Sequence, residues 1–273
     1  MYISYNYTCR IRFPVSQFRS FSSFLMNIPP TSSDNPHPTL VFLHYFGGAA
    51  RSWQWVEDRL SNSYHCVALN LPGFGNTPPL GKPSINEFAQ YVLRETQSLS
   101  LDTFTLIGHS MGGKIAVQAA ADDPARRIER LVLVAPSPPT TEQMPSEEKE
   151  RMLHHPDRGE AETTVDHGTV RELPPEQRAL AVETQLEIDT ATWRWWLLEG
   201  MNHSIADQAR GVSLPITVLA SDDDPVITPE AIQQEVLPVL PQAKLVRTQD
   251  IGHLSPLEDP DWVAEQIQLA VPR

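Results

Sequence analysis

The stretch LIGHSMGGKIA, residues 106–116, places Ser110 between glycines two residues before and two residues after it. Ahead of it, FTLIGH (104–109) reads as a buried strand. Behind it, MGGKIAVQAAA carries small and apolar residues at helical spacing. A serine on a sharp strand-to-helix turn needs Gly108 and Gly112 at those places, because side chains there would collide, and such a turn presents the hydroxyl for attack on a carbonyl. A lone hydroxyl is a poor nucleophile, so this chemistry requires a base and a group that orients the base. Two later loops offer them. VLASDDDPVITP brings Asp222, Asp223 and Asp224 after the apolar run 215–221, and RTQDIGHLSPLEDP brings His253 after the run 244–248. Serine, acid and histidine thus follow one another in the chain, each after a strand of its own.

The elements that must position these groups can be read around them. TLVFLH (39–44), YHCVALNL (64–71), FTLIGH (104–109), RLVLVA (130–135), PITVLAS (215–221) and KLVRT (244–248) are near-continuous apolar runs, as expected of strands covered on both faces. Helices are predicted over 52–60, 84–98, 111–122, 228–238 and 259–270. Thr228 before Pro229 and Asp259 before Pro260 each read as a helix cap followed by proline in the first turn. The alternation predicts an α/β fold, a mostly parallel sheet with helices on both faces. Functional groups of such sheets gather at the carboxyl ends of the strands.

The length of 273 residues suits one domain with an insertion. A net charge of −13 argues against a nucleic-acid partner, which needs clustered Lys and Arg. No run of 18 apolar residues appears, so no membrane span is expected. Cys9 and Cys66 give no disulfide framework, which reads as a reducing, cytoplasmic setting. The first 33 residues hold Arg10, Arg12 and Arg19 and no acid. That composition suits a transit peptide, but residues 1–38 are rich in strand formers, and N-terminal strands or a hairpin are the expectation.

Close to 80 residues separate the fourth strand from the fifth, too many for a loop without structure of its own. SEEKERMLHH, PPEQRALAVETQLE and TATWRWWLLEGMNH read as helices, so residues 137–213 are expected to form a helical cap dividing the core into 39–136 and 214–273. Trp193, Trp195 and Trp196 fall so close together that a helix points them to more than one face. Some join the cap to the core, and Trp195 is the candidate for contact with substrate; Met152 and Met201 are lesser candidates. His154, His155, Asp157 and His167 match no common metal spacing and sit in what reads as a loop, so no metal is expected. GGAARS and GFGN lack the spacing and the basic residue of a phosphate loop.

On FLHYFGG, LNLPGFGNT, GHSMGG, DDDPVITP and DIGHLSPLEDP the chain, from about 39 to 271, resembles the α/β-hydrolase fold superfamily, as a serine esterase-like member with a helical cap. The resemblance implies Ser110 as nucleophile, His253 as general base and then acid, and one aspartate of 222–224 holding the imidazole. Relatives commonly read Gly-x-x-Asp there, often with proline next. Ser221 stands in the glycine place, and Asp224, before Pro225, is the matching acid. The resemblance also implies an oxyanion hole made by the backbone N–H groups of Met111 and Phe46. Tyr45 departs from the usual glycine of the His-Gly-x loop. It is expected either to pack beside the pocket as a substrate contact or to offer its hydroxyl near the oxyanion. Asn70, where many relatives have aspartate, is expected to orient the LPGFG loop, and His44 and His109 to be hydrogen-bonded structural histidines.

Together these readings point to a hydrolase cleaving small to medium neutral carboxylic esters through an acyl-enzyme, with a small-molecule substrate as partner and no cofactor. A lactonase, a carbon–carbon bond hydrolase or a lyase of the MenH kind would use the same triad. A ligand receptor that retains the triad is the reading from another class.

Overall fold

Strand runs that are apolar on both faces pair into a sheet whose neighbours are all parallel in the computed structural model, which describes residues 37–272. The strands are β1 (Thr39–Leu43), β2 (His65–Leu69), β3 (Phe104–His109), β4 (Ile128–Val134), β5 (Ile216–Ser221) and β6 (Lys244–Thr248), in the order β2-β1-β3-β4-β5-β6. All six lie where the apolar runs place them. The chain leaves β1 toward β2 on one side and returns to form β3 on the other. The loops beyond β1 and β3 therefore diverge, and a crevice opens at their carboxyl ends. The expected segment 1–38 lies almost wholly outside the described residues.

Alternation along β1 divides the core into two layers. Leu40 and Phe42 pack with Trp53, Val56, Leu60, Val263 and Ile267, while Val41 and Leu43 face Phe88, Val92, Ile115 and Ala116. Hence α1 (Gln54–Leu60) and α11 (Pro260–Ala270) cover one side of the sheet, and α2 (Ile85–Ser98) and α3 (Met111–Ala121) the other. The cap signals act as read: Thr228 accepts a hydrogen bond from the Ala231 N–H, and Asp259 from the Trp262 N–H. The predicted helix 228–238 takes another form, a single α-turn α9 (Pro229–Ala231) running into a π-helix over Ile232–Val236. Its last bond runs from the Leu237 N–H to Ile232, five residues back, and Pro238 has no N–H with which to continue.

Between β4 and β5 the chain forms α4 (Ser146–Met152), α5 (Arg158–His167), α6 (Pro175–Leu186), α7 (Thr190–Leu198) and α8 (Ala206–Arg210). The α5 segment reads as a loop in the sequence and is a helix, started by Asp157, whose carboxylate accepts from the Glu160 N–H. Its buried face consists only of Ala161 and Val165, four residues apart, which is too little apolar patterning to announce it. Ala161 and Val165 pack with Leu173, Ala181 and Val182 against Tyr45, Leu254 and Leu257, which fixes these helices over the strand ends. The remaining helix, α10 (Ser255–Glu258), follows the loop that carries His253.

Candidate active site

Ser110 sits between β3 and α3 with φ 52° and ψ −117°, a backbone conformation that L-residues avoid and that costs about 1–3 kcal/mol. The surrounding packing enforces it. A Cβ on Gly108 would lie 2.4 Å from the Gly112 carbonyl oxygen, and one on Gly112 would lie 2.6 Å from the carbonyl oxygens of Leu43 and His44. Only glycine lets the turn close this tightly, so the spacing GHSMG is dictated by sterics.

Loops beyond three strand ends bring their side chains together. Ser110 Oγ–H donates to His253 Nε2 at 2.9 Å, and His253 Nδ1–H donates to Asp224 Oδ2 at 2.9 Å. All three residues are buried. Asp224 Oδ1 accepts from the N–H groups of Val226 and Ile227, so both carboxylate oxygens are held. Asp223 instead accepts from the Asp250 N–H, and Asp222 pairs with Arg247. Burial pushes the His253 imidazole toward its neutral form. The charge and hydrogen bond of Asp224, with Glu142 and Glu258 behind it, outweigh that and raise its pKa above 6.5. Such a chain lets the serine hydroxyl shed its proton to an imidazole of fixed tautomer as it attacks.

Two further histidines brace the site. His109 Nε2–H donates to the His253 carbonyl at 2.8 Å. His44 Nδ1–H donates to the Tyr45 carbonyl at 2.8 Å, while its Nε2 accepts from the Leu71 N–H. Burial lowers the pKa of His44 to about 4 and that of His109 well below the ordinary value, so both are neutral donors near pH 7. Because a trans peptide sets C=O and N–H in opposite directions, holding the Tyr45 carbonyl turns the Phe46 N–H the other way. Among the described residues neither this N–H nor that of Met111, at the first turn of α3, meets a backbone or side-chain acceptor. Asn70 bridges two loops, accepting from the Ala50 N–H and donating to the Gly75 carbonyl.

Ser110, His253 and Phe46 face a cavity of about 500 Å³ between the strand ends and the inserted helices. Phe46 is the hinge of its apolar wall, with its ring 4.1 Å from Trp193 and 6.0 Å from Trp196. Met152, Val165 and Leu254 continue that wall. The expectation for Trp195 needs correction: it is absent from the cavity lining and stacks at 5.3 Å on Phe88 of α2. Trp193 and Trp196, three residues apart, share a helix face that Trp195 does not. Met201 is likewise core, not lining. Tyr45 does line the cavity, but its ring lies over Gly47 and Gly48 and beside His109, and its buried hydroxyl points toward Ser52 and Thr184. His155 stacks on Trp193 and donates to the Gln185 carbonyl, while His154 and His167 lie beside Glu160 and Glu148. Among the described residues no group of three or more such side chains could hold a metal ion.

Sequence reasoning passed over Lys114, Glu142 and Glu258. Lys114 is buried in α3 and donates to the carbonyls of Thr140 and Met201, tying the start of the inserted segment to the turn after α7; burial lowers its pKa to about 8. Glu258 Oε2 accepts from the N–H groups of Val170, Arg171 and Gly252, tying the His253 loop to the loop after α5. Glu142 lines the cavity. In sequence each is one more charge among many; burial sets Lys114 and Glu142 apart, and three backbone donors set Glu258 apart.

A model of the Alpha/beta hydrolase family matches residues 40–266. Over 99 residues the chain is 37% identical to the dihydrolipoyllysine-residue acetyltransferase component of an acetoin cleaving system from Cupriavidus necator, covering 36% of this chain and 26% of that protein. It is 35% identical over 99 residues to a pimeloyl-[acyl-carrier protein] methyl ester esterase from Citrobacter koseri, covering 36% and 37%. The matches thus span little more than a third of these curated relatives at most. The solved structure of a carboxylesterase from Bacillus subtilis superposes with a TM-score of 0.73 at 18% identity, covering 88% of this chain and 85% of the other, a likeness of fold.

Proposed function

Since the chain belongs to the alpha/beta hydrolase family, we propose that it is a serine hydrolase cleaving carboxylic esters of small to medium neutral substrates. The observation that carries this reading is the buried hydrogen-bonded line from Ser110 through His253 to Asp224, which opens onto a cavity walled by Phe46, Trp193 and Trp196. In the proposed reaction Ser110 Oγ bonds to the ester carbonyl carbon as its proton passes to His253 Nε2. The carbonyl π pair becomes an oxyanion held by the N–H groups of Phe46 and Met111. The oxyanion collapses, the alkoxy group leaves with the proton from His253, and an acyl-enzyme remains. Water then gives a proton to His253 and attacks the acyl carbon, and Ser110 departs carrying that proton. The inserted helices act as a cap that roofs the acyl pocket. The cavity volume supports the substrate size, since small-molecule pockets run from about 300 to 1,000 Å³.

Hydrolysis of p-nitrophenyl esters from acetate to dodecanoate tests the reading. Turnover with a short- to medium-chain optimum is expected, and Ser110→Ala should lower it by about a thousandfold or more. Activity that survives the substitution overturns the assignment of the nucleophile. Stoichiometric labelling of Ser110 by a fluorophosphonate without turnover of any ester overturns ester cleavage and favours lactone or carbon–carbon bond cleavage on the same residues.

A further inference from the structure

One polar side chain of the cavity has no part in the reaction described. Glu142 is 8% exposed and lines the same cavity as Ser110 and His253. Its backbone is fixed by the N–H bond to the Met201 carbonyl at 2.9 Å. Among the described residues its Oε2 is shielded beside the Ser137 hydroxyl, and its Oε1, which meets no hydrogen-bond partner there, is the oxygen left open to the cavity. A carboxylate oxygen that faces an enclosed cavity without a partner leaves a place for a ligand to supply the donor.

The surroundings narrow what that partner can be. Among the described residues no Lys or Arg lines the cavity, and Glu147 and Glu148 stand at its solvent side, so an anion finds no counter-charge there. Burial raises the Glu142 pKa, while Ser137, Lys114 and His253 nearby draw it down. Lys114 and an imidazole that becomes cationic during catalysis already face the carboxyl, so a third cation is poorly placed. A neutral donor meets neither objection. Ser137, whose buried hydroxyl turns toward the Glu142 carboxyl, marks the spot as polar.

We propose that Glu142 is a substrate-binding residue whose Oε1 accepts a hydrogen bond from a neutral donor, a hydroxyl or an amide N–H, carried by the ester cleaved at Ser110. The site then selects esters bearing such a donor over hydrocarbon esters of equal length. This inference rests on the ester-cleaving reading, so its test is a binding measurement that needs no turnover.

Ethyl esters matched in length and ending in methyl, hydroxyl, acetamido or ammonium groups, with a second series carrying the group on the alcohol side, are titrated into Ser110→Ala protein. Binding is followed by the fluorescence of Trp193 and Trp196, which line the cavity. The hydroxyl or acetamido ester should bind roughly five- to tenfold tighter than the methyl ester. Comparing those two separates an O–H source from an N–H source. The preference should vanish when Glu142→Leu (or Glu142→Ala, should the leucine variant not fold) is added, and persist with Glu142→Gln, which keeps an acceptor. Equal binding of all neutral esters to the Ser110→Ala protein overturns the proposal, as does a preference that survives Glu142→Leu. An ammonium ester bound best, with the advantage lost in Glu142→Gln, overturns it in favour of a cation site. Turnover of the plain ester by the unmodified enzyme reports separately on the ester-cleaving reading.

Discussion

Three consecutive aspartates, alike in sequence, differ in what their oxygens meet, and that difference sets their consequences. Asp224 is buried against His253, whereas Asp222 pairs with an arginine and Asp223 holds a neighbouring loop. Asp224→Asn should lower kcat/KM by about four orders of magnitude, while Asp222→Asn and Asp223→Asn should stay within a few-fold in the same steady-state assay. The pH profile follows from the raised pKa of His253. A base must be unprotonated to act, and a raised pKa keeps the proton on to higher pH, so the acid limb of kcat/KM should bend above pH 6.5. Removing the charge in Glu142→Gln should move that bend to lower pH, since Glu142 is among the groups that raise it. At this scale the sequence names Ser110, Asp224 and His253 through chain order and resemblance. It misses Glu142 and misplaces Trp195, because orientation about a helix axis and burial of a single acid are not written in composition.

Among elements, the strands and the helices α2, α3 and α11 are legible because long apolar stripes and caps leave little choice. The inserted helices are harder to read. Their buried faces are short and shared with the core, so α5 and α8 pass for loop. One contact that joins these helices to the histidine loop comes from a side chain of α10: Glu258 Oε2 collects three backbone N–H groups, from Val170, Arg171 and Gly252. Glu258→Ala leaves those donors to water and should destabilise the fold by about 1 kcal/mol in urea titration. Because the loop it fixes carries His253, kcat should fall as well, and Glu258→Gln, which retains an acceptor, should recover part of both losses.

Across the whole molecule, pH acts through histidines buried without charge. His44 holds a pKa of about 4 when folded, against 6.5 as its ordinary value. Between those values the unfolded chain binds the proton and the folded one does not, so stability is complete above pH 6.5 and is lost as pH falls toward 4. His44 alone accounts for about 3 kcal/mol of that loss. His109, depressed further, adds to it. Denaturant midpoints measured from pH 7 to 4 should fall accordingly, and His44→Gln should flatten the curve. The negative charge of −13 opposes this trend only weakly, since acidification relieves repulsion among exposed carboxylates.

The N–H groups of His253 and Leu254 both donate to the Gly168 carbonyl, at the end of α5. Any movement of α5 away from the sheet would therefore carry the His253 loop with it. The exposed lining residues Gln143, Pro145, Glu147, Pro225 and Val226 mark where the cavity meets solvent.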